Sequence, residues 1–225
     1  SPLTPPVPTP TPPGADGCVF VDVCSGDYYY AGVAYLKVSG AVSGYVDNTF
    51  RPYNLTTRAH LAKILVTAFN ITPFTGHPQT FADVPDTQPF YAVIETAAKE
   101  HMISGYACGG VGEPCDSLNR PYFRPSAEVT RGQVAKMSAG AAGWPLITPV
   151  TPTFADVPAN YALYSAIETA VCHGALSGYA CGGPGEPCDS QNRPYFHPGA
   201  SATRGQVCKI VFNVIRSAGC APAAP

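Results

Sequence analysis

The chain has 225 residues, 45% of them apolar and 12% charged, with a formal net charge of −2. That apolar fraction supports a sizeable core and excludes global disorder, while the near-neutral balance excludes nucleic acid as the main partner, since neutralising phosphates takes clustered surplus Lys and Arg. No apolar run approaches the roughly 18 residues that span a bilayer, and nine cysteines suit an oxidising compartment.

In chain order, the first element is SPLTPPVPTPTPP over residues 1–13, with seven prolines and no charge. Lacking amide donors and a buriable face, it reads as part of an extended polyproline arm over residues 1–17. No basic and apolar leader precedes it, so any secretion signal is taken as removed and the chain as extracellular. Such an arm has little of its own to offset its ordering, so it is expected to dock on a neighbouring subunit or to fold back on the rest of the chain.

Beyond the arm the sequence repeats. FADVP occurs at residues 81–85 and again at 154–158, and a degenerate FVDV opens at Phe20. The step from the opening Phe to a Gly-Tyr tyrosine is 25 residues in each copy: Phe20 to Tyr45, Phe81 to Tyr106, Phe154 to Tyr179. The step from a second Phe to a Thr-Arg arginine is 8 residues in each: Phe50 to Arg58, Phe123 to Arg131, Phe196 to Arg204. Only the loop between varies, 5 residues in the first copy and 17 in the others. The domains are therefore drawn as repeats over 18–76, 77–150 and 151–220, followed by a tail at 221–225.

Each repeat reads as a helical hairpin. Asp22, Asp83 and Asp156 are placed as caps before its first helix. In the second repeat that helix runs near Pro89–Met102, with Tyr91, Ile94, Ala98 and Met102 at helical spacing. Gly44, Gly105 and Gly178 read as its stop signals. The second helix opens at Thr-Arg, and Thr130-x-x-Gln133 and Thr203-x-x-Gln206 are capping boxes. Val207, Ile210, Val211 and Val214 form its buried face in the last repeat. A lone hairpin this small cannot bury both helices, so three are expected around a shared pseudo-threefold core. The fold class expected is all-α, with long disulfide-stapled loops.

The Cys108–Cys115 and Cys181–Cys188 pairs lie in equivalent Gly-rich loops and read as local disulfides rather than a metal site, since close CxxC pairing is absent. Cys172 and Cys208 appear together in one repeat only, near the end of one helix and the start of the next, which predicts a Cys172–Cys208 bridge. Cys18 and Cys24 flank an extended FVDV and would stand about 15–20 Å apart. Cys18 is therefore assigned to Cys220, and Cys24 to a free thiol or an intersubunit bond.

Nothing suggests catalysis, a cofactor or a metal. Glu95 and Glu168 are one repeat position seen twice, not an acid/base pair. His60, His77, His101, His173 and His197 show no metal-binding spacing. Arg58, Arg131 and Arg204 are the site candidates. Each sits at a helix N-terminus, where amides and guanidinium could hold a carboxylate; the alternative is a hydrogen bond from Arg to loop carbonyls that locks the repeat.

The order FxDV, amphipathic helix, I-S-G-Y, F-R-P and T-R-x-x, clearest in SGYVDNTFRPYNLTTRAHLAKIL from Ser43 to Leu65, resembles the S-layer homology repeat. The resemblance covers residues 18 to about 220 and implies a bacterial surface protein whose grooves hold an anionic, pyruvate-bearing cell-wall polysaccharide. It implies a ligand role for Arg58, with Gly44 and Asp47 beside it, and the usual Thr-Arg-Ala-Glu is TRAH or TRGQ here. Two functions follow. The favoured one is a subunit that self-assembles with copies of itself into a layer, tube or filament, because only APAAP follows the third repeat and an anchor would lack cargo. The alternative is a polysaccharide-binding wall anchor. The expected division of labour puts glycan at Arg58 and subunit contacts on the loops of repeats 2 and 3.

Overall fold

Three short Thr-Arg motifs open the helices that meet at the centre of the molecule. The computed structural model describes residues 17–220 apart from 75 and 77, so residues 1–16 of the arm, His77 and the tail lie outside the described residues. Six helices are present among them: α1 (Tyr30–Val38), α2 (Arg58–Ala68), α3 (Tyr91–Lys99), α4 (Arg131–Ala141), α5 (Tyr164–Cys172) and α6 (Arg204–Ile215). Thr57, Thr130 and Thr203 cap α2, α4 and α6, and the latter two caps are full capping boxes.

The all-α expectation is corrected. Helix accounts for 30% of the residues, and β1 (Cys18–Phe20) pairs antiparallel with β2 (Val23–Cys24). FVDV is a hairpin turn rather than an extended run. Folding back brings the Cα atoms of Cys18 and Cys24 to 3.9 Å, and the two are disulfide-bonded. Neither the Cys18–Cys220 bond nor an unpaired Cys24 therefore occurs.

Among the described residues the main helix pairs form between repeats, not as hairpins within them. α3 packs on α2, α5 on α4, and α1 on α6, so each first helix lies against the second helix of the preceding repeat and the third closes on the first. The second helices meet around the centre. Ahead of them, three backbone hydrogen bonds close a ring: the Thr56 amide donates to Ala202 at 3.0 Å, Ala202 to Val129 at 2.9 Å, and Val129 to Thr56 at 2.9 Å.

This exchange explains a second correction among the cysteines. Cys208 faces α1, whose Gly32 comes so close that an added Cβ would lie 2.5 Å from the Cys208 carbonyl oxygen. It is a buried free thiol. Cys172, at the end of α5, bonds instead to Cys220 beyond the end of α6. Cys108–Cys115 and Cys181–Cys188 are bonded within their loops, so those sulfurs are unavailable to a metal.

Each FxDV aspartate clamps a loop instead of capping a helix. The amides of Phe50 and Arg51 donate to the two carboxylate oxygens of Asp22 at 2.7 and 2.8 Å. Phe123 and Arg124 do the same to Asp83, and Phe196 and His197 to Asp156. The clamp holds Arg51, Arg124 and His197 in the left-handed region at φ 57°, 60° and 58°, a conformation non-glycine residues keep only when their surroundings impose it. Above each clamp two buried phenylalanines pack, Phe20 on Phe50, Phe81 on Phe123 and Phe154 on Phe196, with centroids 5.1–5.4 Å apart.

The first helices end at Gly40, His101 and Gly174, all left-handed, rather than at Gly44, Gly105 and Gly178. Those later glycines serve close packing: a Cβ on Gly178 would sit 2.5 Å from Phe154 Cε1 and 2.8 Å from the Tyr195 oxygen.

Candidate functional site

Three equivalent grooves open where one repeat meets the next. The first lies between Gly44-Tyr45 and Arg204, the second between Gly105-Tyr106 and Arg58, the third between Gly178-Tyr179 and Arg131. Their volumes are about 190, 260 and 620 Å³.

The exchange of helices decides which residues share a groove. Arg58 does not stand beside Gly44 and Asp47; it crosses to repeat 2, and Gly44 faces Arg204 of repeat 3. Asp47 lies on the exposed loop of repeat 1, where its carboxylate accepts from the Thr49 hydroxyl at 2.6 Å and pairs with Arg51 at 3.1 Å. Those bonds hold its pKa down to about 2.

The three arginines build the walls between repeats. Arg58 Nε donates to the Phe123 carbonyl at 2.7 Å and Nη2 to that of Ser104 at 3.3 Å. Arg131 binds the Phe196 and Ser177 carbonyls at 2.8 and 3.0 Å, and Arg204 those of Phe50 and Ser43 at 3.0 and 3.1 Å. Each guanidinium also lies between two rings: Arg58 over Tyr106 and Phe123, Arg131 over Tyr179 and Phe196, Arg204 over Tyr45 and Phe50. Arg58 and Arg131 are only 4% and 6% exposed, and burial pulls both pKa values down. Of the two roles open to these residues, locking loop carbonyls is the one the geometry displays, and the lock runs between repeats.

The helix N-termini are closed as well. The amides of Arg58 and Ala59 donate to the Ala127 and Pro125 carbonyls at 2.9 and 3.0 Å, and the pattern recurs at Arg131-Gly132 and Arg204-Gly205. The third amide of α2, from His60, donates to the Thr57 hydroxyl. No helix-end amide cluster is therefore left to bind a carboxylate at these three sites.

Sequence reasoning missed the lysines. Lys63, Lys136 and Lys209 line the first, second and third grooves. Each follows the repeat arginine by five residues, and the spacing of 73 residues between copies was the available signal. Lys136 donates to the Ser104 hydroxyl at 2.7 Å; Lys209 lies 5.1 Å from the centre of the Tyr28 ring. Beside the lysines, the position two after each arginine carries His60, Gln133 or Gln206, and no Asp or Glu lines any of the three grooves. Burial lowers the His60 pKa, and the Arg204 and Lys63 charges add to that.

Glu95 and Glu168 are buried structural residues that accept from the Thr80 and Thr153 amides at 3.0 and 2.9 Å. His197 pairs with Glu186 at 3.1 Å, the counterpart of the Arg124–Glu113 pair in repeat 2. His173 stacks on Trp144 at 3.8 Å.

The family model of the S-layer homology domain matches residues 19–62 and 80–135. No curated protein matches the chain.

Proposed function

The chain is an S-layer homology domain protein, and from that premise we propose that it holds an acidic cell-wall polysaccharide in the grooves between its repeats and so attaches to the cell surface. The S-layer homology domain is a structural and binding module of cell-surface anchoring and S-layer association. Four disulfides suit an extracellular setting. Among the described residues no helix is long and apolar enough to cross a membrane.

One observation carries the reading. In a chain with a net charge of −2, every groove is lined by an arginine and a lysine and by no carboxylate. That charge segregation favours an anionic ligand. The α5–α6 segment carries the same motifs and the same groove, so it is read as a further copy of the repeat. Co-sedimentation tests the proposal: the protein should pellet with purified cell-wall material and stay in solution when the wall has been stripped of its polysaccharide. Equal pelleting with both would overturn it.

Self-assembly is the second reading. Its support lies in the two disulfide-closed loops, with Val111 fully exposed on the first; the arm that motivated it lies outside the described residues. Sedimentation velocity of the protein free of wall material tests it, with a single monomer boundary counting against assembly.

A further inference from the structure

We propose that the proline-rich arm of residues 1–16 folds back on its own chain and seats Pro10 and Pro13 on a slot formed by Tyr28, Tyr29 and Tyr53. The proposal is independent of what the grooves hold.

The slot has a floor and two walls. Tyr29 is only 2% exposed, whereas Tyr28 and Tyr53 are 54% and 71% exposed. Both exposed rings stand edge-on to the buried one, at interplanar angles of 72° and 86° and centroid distances of 4.8 and 6.0 Å. The floor is wedged against α6, where a Cβ on Gly205 would lie 2.7 Å from the Tyr29 ring.

The fold does not need the walls. At the Tyr28 position the second and third repeats carry Pro89 and Ala162, and at the Tyr53 position Ser126 and Gly199. The buried Tyr29, by contrast, is matched by the apolar Phe90 and Leu163. Two large rings left in solvent, where the equivalent positions manage with smaller residues, mark a surface built for contact.

The arm has the complementary chemistry. Residues 1–13 carry seven prolines and no charge, a composition that favours polyproline II, whose carbonyls find no partner within the helix. Proline has no amide hydrogen, so the segment is rich in acceptors and poor in donors. The slot offers the reverse: two tyrosine hydroxyls and, 5.1 Å from the Tyr28 ring, the Lys209 ammonium. Tyr28 is hydrogen-bonded to Thr203 and Tyr53 to Tyr29, and a phenol can accept one such bond and still donate its own. Aromatic-lined surfaces of this kind are a general mode of proline-rich recognition. Pro10 and Pro13 are three apart, which puts them on one edge of a polyproline II helix about 9 Å from each other, and the two walls stand within about 11 Å.

The tether decides the occupant. The Gly17 carbonyl accepts from the Ser25 amide at 3.0 Å. Tyr28 lies three residues on from Ser25, about 11 Å at full stretch. Gly14-Ala15-Asp16-Gly17 joins Pro13 to the same point, about 14 Å at most, with a glycine at each end to turn the chain. So short a tether sets the effective concentration of the arm in the millimolar range, and the chain's own arm outcompetes that of a second copy at micromolar protein.

Isotope-edited NMR of the full chain with its disulfides intact tests this. Wild type should show nuclear Overhauser contacts from the Pro10 and Pro13 rings to those of Tyr28 and Tyr53. The amides of Thr9, Thr11 and Gly14 should have order parameters above about 0.6. Tyr53→Ser, the residue repeat 2 carries there, should lose the contacts and bring those order parameters below about 0.6, with the urea midpoint unchanged. Tyr28→Ala, the residue of repeat 3, should do the same, while Leu118→Ser on the exposed loop of repeat 2 should change neither reading. Equal arm order parameters in wild type and both tyrosine variants overturn the proposal, as do arm contacts to other residues. Contacts seen only between labelled and unlabelled copies in a mixed sample also overturn it, since they put the arm on a second copy.

Discussion

Replacing Arg58 by alanine removes two charge-assisted hydrogen bonds, at 2.7 Å to the Phe123 carbonyl and 3.3 Å to that of Ser104. Net contributions of bonds to charged groups run to about 1.5–3 kcal/mol each, and the stacking against Tyr106 and Phe123 adds about 1 kcal/mol. Against this, the buried guanidinium carries a desolvation cost, visible in its lowered pKa, which the alanine variant escapes. The balance is a loss of about 3 kcal/mol. With a urea slope of about 2–3 kcal/mol/M, the unfolding midpoint should fall by about 1–1.5 M with the slope unchanged. Arg58→Lys, which cannot reach both carbonyls at once, should recover no more than half. Arg204→Ala should cost less, about 1.5 kcal/mol, because that side chain is only half buried and its bonds are 3.0 and 3.1 Å long. Circular dichroism across a urea series measures all three. A midpoint shift below about 0.3 M for a folded Arg58→Ala would refute the idea that the arginines lock the ring.

Asp83→Ala leaves the Phe123 and Arg124 amides without their 2.7 and 2.6 Å acceptors and releases a left-handed Arg124, so a loss of about 2–4 kcal/mol should appear in the same urea experiment. Gly178→Ala drives a methyl group into Phe154 and the Tyr195 carbonyl, and should lower stability by about 1–3 kcal/mol where Gly174→Asn, at an open left-handed position, is nearly neutral. The Cys208 thiol is pushed up to about 12 by burial, so a thiol reagent should find no reactive group in the native protein and one after denaturation without reductant; a peptide map linking Cys172 to Cys208 would contradict the assignment. Asp47 is favoured in its charged form when folded, so the order it lends the repeat 1 loop is complete above its ordinary value of 3.8 and is lost as pH falls through about 2; a carboxyl NMR titration of Asp47 centred near 3.8 would exclude that.

The recurring motifs were legible along the chain itself. Spacings of 25, 8 and 73 residues located the equivalent positions, and Thr130–Gln133 and Thr203–Gln206 marked helix starts that the structure keeps. The loop disulfides were legible too, because Cys108–Cys115 and Cys181–Cys188 each close within one flexible segment. All of these depend on residues near one another along the chain. What depended on which repeat touches which was decided only in three dimensions. Helix periodicity fixes an apolar face but not the partner it buries against, so hairpins within repeats and exchanged pairs between repeats look the same in the sequence. The exchange then relocated every prediction that rested on adjacency: Cys172 found Cys220, Cys208 met α1, and Arg58 left Gly44 to face Gly105-Tyr106. The same geometry consumed the arginines in carbonyl bonds and left the lysines facing the grooves, a division that residue type alone does not encode, since both side chains carry the same charge and only their surroundings differ.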